Sequence, residues 1–166
     1  MKSSTEAAFE LVDVYAYRQP AGGAPEFLLL RRAPDVMYAG QWRMIGGKIK
    51  PSETAVAAGR RELEEETGCS PSLFWCVPTI NSFFDFKRNK LHHIPVFAAV
   101  LPTQASLRLN HEHNEYSWLP AEQAAGQVHW PEQARILRLI SQLLHSSQGQ
   151  LPPEWIVDRH GTTTSS

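Results

Sequence analysis

The residues with the greatest capacity for chemistry lie in one run, Arg61-Glu62-Leu63-Glu64-Glu65-Glu66. The composition around it predicts a helix, and at about 100° per residue Glu62, Glu65 and Glu66 fall within roughly a 100° arc. They therefore share one face. Glu62 and Glu66 are like charges at i and i+4, an arrangement that costs roughly a few tenths of a kcal/mol. The cluster also lies toward the helix C-terminus, where the macrodipole disfavours anions. Two local rules broken together mark a place where something else compensates. The bland alternative is a solvated acidic face neutralised by Arg60 and Arg61. The chemical alternative is a hard divalent cation, which prefers carboxylate oxygens and binds through few protein ligands plus substrate phosphates. Gly46-Gly47, just upstream, adds backbone that can approach a phosphate or a metal closely, although a Gly-Gly pair alone is weak evidence.

Together these residues resemble the Nudix box, G-x5-E-x7-R-E-U-x-E-E-x-G-U, with U apolar. The chain reads Gly47, five residues, Glu53, seven residues, then Arg61, Glu62, Leu63, Glu64, Glu65, Glu66, Thr67, Gly68, Cys69. Every fixed position is met, and the frequency of a chance match is on the order of 10⁻⁷ from average residue usage. The flanking strand pattern extends the resemblance over most of residues 9 to 145. The chain departs from the family pattern at Ile45, where Pro often precedes the glycines, at Lys50 and Ser52, which replace an acidic residue and a Gly, and at Cys69 in the last apolar position. None of these removes a ligand.

The resemblance implies an α/β Nudix fold, a mixed β-sheet sandwiched between helices, with the box as a loop–helix–loop. It implies that Glu62, Glu65 and Glu66 form a metal-binding face to which Gly47 adds its carbonyl. Mg²⁺ is the expected ion, with Mn²⁺ as an alternative. Arg61 would orient a box glutamate through a charge-assisted hydrogen bond, and Glu53 would brace the loop–helix–loop together with Gly68. Family members often recruit a further carboxylate from a loop before a late strand. Here Glu112 is the first choice and Glu115 the reserve. Zinc is not expected, because His111-Glu112-His113 does not follow the H-E-x-x-H spacing and His93 stands apart.

The implied reaction is attack of water on phosphorus in a diphosphate linkage, which needs positioning and charge neutralisation more than covalent help. Either Glu62 or Glu112 would take the proton. Arg32, at the end of a strand before the box, is a candidate phosphate contact. The pattern from Glu112-His113 through Tyr116 and Trp118-Leu119 to Trp130 loosely resembles the bacterial dATP/dihydroneopterin-triphosphate pyrophosphatase branch. That points to a nucleoside or pterin triphosphate, with ADP-ribose, another nucleoside diphosphate conjugate or capped RNA as alternatives. Trp42, Phe84, Phe86 and Tyr116 could stack on a flat base, although core packing is the competing role. A catalytically silent nucleotide-binding domain is the alternative of another class.

The elements that must hold these residues can be read around the box. Residues 9–17 and 27–30 read as strands, the second ending at Arg31-Arg32. Trp42 to Ile45 is a short strand stopped by Gly46-Gly47. The box helix spans 54–67, with Ser52 as N-cap, Glu53 in its first turn, Val56 and Leu63 facing the core, and Gly68 as the C′ stop. Residues 74–86 and 92–101 read as strands, with Pro78 interrupting the first and Pro95 suggesting an edge or a bulge in the second. A strand at 115–119 leads to a short helix begun by Pro120. A longer helix begun by Pro131 buries Ile136, Leu137, Ile140, Leu143 and Leu144.

The 166 residues suit one domain, expected over 9–148, between a flexible N-terminus (1–8) and a flexible tail (149–166). Trp155-Ile156-Val157 could nevertheless dock on the body. Apolar residues make up 42%, charged residues 20%, and the formal net charge is −1, values ordinary for a soluble globular protein. No basic stripe is present, so nucleic acid is not an expected partner. A small nucleotide-like diphosphate is the expected partner, and a homodimer stays open. Cys69 and Cys76 form no disulfide framework and read as core thiols. No apolar run reaches the roughly 18 residues of a membrane span. With no hydrophobic signal segment at the N-terminus, the default expectation is a cytoplasmic protein.

Overall fold

Leu11–Arg18 (β1) carries buried residues on both sides, and it runs through the middle of a mixed sheet. The computed structural model describes residues 9–157; residues 1–8 and 158–166, expected to be flexible, lie outside the described residues. In chain order, β1 is followed by β2 (Glu26–Arg32), β3 (Trp42–Arg43), β4 (Ile45–Lys48), α1 (Ala55–Thr67), β5 (Leu73–Asp85), β6 (Lys90–Val100), β7 (His113–Pro120), α2 (Ala121–Gln127) and α3 (Pro131–Ser146). The sheet order is β3-β2-β1-β6-β5, with β4 also paired to β1 and β7 to β2. Among the described residues only the β1–β6 pairing is parallel; the others are antiparallel.

Strand alternation sorts the side chains into two layers. Val12, Val14, Ala16, Leu28, Leu30 and Ile45 pack with Ala58 and Leu63 of α1 on one face. Tyr15, Tyr17, Phe27 and Leu29 pack with Ala124, Ile136, Leu137 and Ile140 of α2 and α3 on the other. The sheet is therefore sandwiched between helices, with the box helix alone on its side.

Several local features differ from the sequence reading. Gly46-Gly47 does not stop a strand but forms the centre of β4, opposite Asp13 and Val12. The N-cap of α1 is Thr54, whose Oγ1 accepts from the Ala57 N–H at 3.1 Å. Ser52 instead has φ 65°, a left-handed turn residue, and Glu53 precedes the helix rather than opening it. The turn made by Lys50 to Glu53 displaces the cap by two positions. Gly68 closes α1 as expected, with φ 71° and its N–H bonded to the Glu64 carbonyl. Pro95 falls at a bulge, as expected: it pairs with Ile80 where the β5–β6 register shifts between Cys76 and Ile80, a shift that also absorbs Pro78, and it lies just before β6 meets β1. Cys69 is buried, but the other cysteine expected in the core, Cys76, is exposed.

Beyond Gly149 the chain does not leave the body at once. A 3₁₀ turn at Pro153–Trp155 stacks Trp155 on buried Trp75 with centroids 6.1 Å apart. The Val157 N–H then bonds to the Phe74 carbonyl at 2.9 Å.

Candidate active site

Packing of Leu63 and Ala58 against the sheet fixes the rotation of α1, and that rotation decides which glutamates turn inward. Glu66 is 1% exposed and accepts the Gly46 N–H at 3.2 Å. Glu62 sits over Gly47, where an added Cβ would lie 2.2 Å from its Oε1. Glu65 is half exposed at the rim, accepting from Arg61 at 3.2 Å.

Arg61 ties the loop to the helix. It holds both oxygens of Glu53 at 2.8 and 2.9 Å, Glu62 Oε1 at 2.9 Å and the Lys48 carbonyl at 2.9 Å. The hydrogen bonds from Arg61 and from the Lys50 N–H hold the Glu53 carboxyl down at about 2. Glu53 therefore sits where it can brace the box, and its carboxylate is turned to Arg61.

Opposite α1, a register irregularity between Arg31 and Arg32 interrupts the β2–β7 ladder. Such irregularities re-aim side chains. Arg32 comes to lie 3.6 Å from Glu112 Oε2, and Arg32 Nε donates to the Met37 carbonyl at 3.0 Å. Glu115, the reserve carboxylate, pairs with Arg31 at 3.1 Å. His113, the next residue after Glu112, is 5% exposed, and its Nδ1 has no hydrogen-bond partner. That nitrogen lies 3.9 Å from Glu66 Oε1, too far for a hydrogen bond. Glu66, Glu112 and His113 each offer a ligand atom, and these atoms lie within 4.8 Å of one another.

The electrostatics follow from burial and crowding. Burial holds the Glu66 carboxyl well above the usual carboxylate range, and Glu62 and Glu112 push the same way against the Gly46 N–H and Arg32. Burial also raises Glu62, opposed by Arg61 and assisted by Glu65 and Glu112. His113 is held neutral, lowered to about 4 by burial and by Arg32 and Arg43. Three carboxylates in mutual repulsion beside a neutral imidazole with an unpaired nitrogen form a donor set suited to a divalent cation.

The expected aromatics are dispersed. Trp42 packs partly into the α3-side core. Tyr116 is 47% exposed on β7, opposite Leu30. Phe84 is 59% and Phe86 77% exposed at the β5–β6 hairpin. His113, set aside on spacing as a zinc ligand, is buried beside Glu66. The sequence reading passed over Arg43, whose guanidinium lies 5.0 Å over the Tyr38 ring. It also passed over Asp13 and Asn81, which are joined by a 2.9 Å hydrogen bond. Asp13 did carry a signal, a charged residue inside an otherwise apolar strand.

A carboxylate helix packed on a mixed sheet, with a glycine strand beneath it and arginines across from it, defines a hydrolase of phosphoric anhydrides. The NUDIX domain model matches residues 11–140, and the chain belongs to the Nudix family. Nucleoside triphosphatase NudI of Klebsiella pneumoniae (strain 342) is 27% identical over 104 residues, covering 58% of this chain and 74% of that protein. An Ap4A hydrolase of C. elegans superposes with a TM-score of 0.70 at 24% identity, over 84% of this chain and 99% of that one. The E. coli dihydroneopterin triphosphate pyrophosphohydrolase gives 0.66 at 20% identity, over 82% and 99%. At these identities the two structures speak to the fold.

Proposed function

We propose that this chain is a divalent-metal-dependent pyrophosphohydrolase that cleaves a nucleoside or pterin triphosphate to a monophosphate and pyrophosphate. The observation that carries the reading is the convergence of Glu62, Glu66 and Glu112 beside the unpaired Nδ1 of His113. Glu66, Glu112 and Glu62 would hold Mg²⁺ or Mn²⁺, with Glu65 and the Gly47 carbonyl as further oxygen donors. When bound, the cation neutralises phosphate charge and acidifies a water. Arg32 would hold a phosphate oxygen by exchanging its contact with Glu112. Arg61 keeps Glu62 oriented, and either Glu62 or Glu112 accepts the proton from the attacking water. A triphosphate substrate is supported by the similarity to a nucleoside triphosphatase.

The test is product release, pyrophosphate from nucleoside triphosphates and nucleoside monophosphate from ADP-ribose and dinucleotides, with Mg²⁺ and then with EDTA. Metal-dependent release from triphosphates, lowered by orders of magnitude in Glu66→Gln, supports the reading. Tight nucleotide binding with no turnover would instead identify a silent binding domain.

A further inference from the structure

β7 opens on an imidazole buried against the box helix. The side chains of His113 and Glu66 are each 2% exposed. Among the described residues the Nδ1 of His113 has no hydrogen-bond partner. Neither Arg32 nor Arg43, whose charges act on the ring, donates to it. A buried ring nitrogen gives up its hydration, and with no partner nothing offsets that loss. A phenylalanine would fill the same space without the orphaned atom.

The backbone holds the ring in place without help from Nδ1. Consecutive residues of a regular strand face opposite ways, yet Glu112 and His113 each bring a donor atom within 4.8 Å of Glu66. The turn before β7 allows this. Asn110 Oδ1 accepts the Glu112 N–H at 3.2 Å, and the Asn110 carbonyl accepts the His113 N–H at 3.3 Å. From the other side, the Ala33 N–H donates to the Glu112 carbonyl at 2.8 Å. Asn114 is then the extra residue of a bulge, since Arg32 pairs with His113 and Arg31 with Glu115. A hydrogen bond from Nδ1 to Glu66 would need about 3.2 Å or less, and the two atoms are 3.9 Å apart. Two donors that share one cation at about 2.1 Å each lie up to about 4.2 Å apart. The gap thus suits an ion between the two atoms and not a bond across it.

We propose that His113 is itself a metal ligand, its Nδ1 joining Glu66 and Glu112 in a mixed nitrogen–oxygen site that selects a first-row transition ion over Mg²⁺. The inference rests on the metal-dependent reading above and deepens it. A site of carboxylates and carbonyls suits Mg²⁺, whereas an imidazole donor favours the later first-row ions such as Co²⁺. The box supplies only oxygen donors, so the nitrogen comes from outside it. What His113 adds is a choice of ion, with no new chemical step.

Pulsed electron paramagnetic resonance of the full chain loaded with Mn²⁺ tests this without turnover. The electron spin should couple to a nitrogen nucleus, and no coupling in the unaltered protein would overturn the inference. In His113→Phe, with folding checked by circular dichroism, the coupling should vanish. It should persist in His111→Gln, the exposed histidine two positions away. Coupling that survives in His113→Phe would assign the nitrogen to another residue and overturn the inference as well. Calorimetric titration of the metal-free chain should show Co²⁺ affinity lowered about 10- to 100-fold in His113→Phe, with Mg²⁺ affinity changed far less. Equal losses for the two ions would mean that His113 only shapes the site, against the inference. Metal-dependent cleavage of triphosphates without nitrogen coupling would remove the ligand and leave the pyrophosphohydrolase reading standing. Coupling that depends on His113, in a chain that cleaves no triphosphate, would do the reverse.

Discussion

Gly47 and Glu62 meet with no room for a side chain between them: a methyl group on Gly47 would lie 2.2 Å from Glu62 Oε1 and 2.3 Å from its carboxyl carbon. The antiparallel pairing of Gly47 with Val12 fixes the strand, and burial of Leu63 fixes the helix. The movable part is the carboxylate. Gly47→Ala should therefore leave the fold intact and swing Glu62 off its position. Steady-state kinetics should show kcat lowered by about 10- to 100-fold, as for loss of ligand orientation. An unchanged kcat would mean that Glu62 has no part in turnover.

Arg61 joins the box loop to the helix through Glu53, Glu62 and Glu65. Lysine cannot reproduce its planar fork. Arg61→Lys should reduce activity by about tenfold or more and weaken metal binding, measured by calorimetry. Glu53→Gln should produce the same pattern more weakly, because Arg61 keeps its bonds to Glu62 and the Lys48 carbonyl. A larger defect in Glu53→Gln than in Arg61→Lys would contradict this order.

The raised carboxyls of Glu66 and Glu62 give metal binding a pH dependence of definite sign. Cation binding needs the ionised forms and so displaces protons. Mg²⁺ affinity should rise with pH from about 5 and level off above the native pKa values. Titrations in buffers of different ionisation enthalpy would read the released protons. In the metal-free protein the same shifts make stability fall as pH rises above about 4.5, because the folded form retains protons that the unfolded form has already lost. Affinity independent of pH between about 5 and 8 would argue against ligation by these groups.

Thr54, not Ser52, caps α1. Thr54→Ala should cost about 1 kcal/mol in chemical denaturation. Ser52→Gly should be neutral or stabilising, because φ 65° suits glycine better than serine. Equal losses in both variants would restore Ser52 as the cap.

The segment beyond Gly149 contributes packing through Trp155 and Val157. Trp155→Ala should lower stability by about 1–3 kcal/mol, less than a fully buried aromatic because the ring is partly exposed. Thermal and urea unfolding would measure it, and no change would mean that the segment is dispensable to the body.

For the helical repeats and the stop of α1, whose geometry spans a few residues, the sequence alone was sufficient, although the cap at Thr54 was not read from it. Helical periodicity places Glu62 and Glu66 on one side of α1, Gly68 ends that helix, and Ile136, Leu137 and Ile140 form the buried stripe of α3. These follow from a repeat of about 3.6 residues and from the conformational freedom of glycine. Tertiary structure decided what depends on pairing distant segments. The rotation of α1 on the sheet buries Glu66 and leaves Glu65 half exposed. The irregularity at Arg31/Arg32 sets Arg32 beside Glu112 and carries His113 toward Glu66. The bond from Asn81 to Asp13 crosses 68 positions of sequence. Sheet register and helix docking are set by the shape of the whole core, so no local spacing could reveal them.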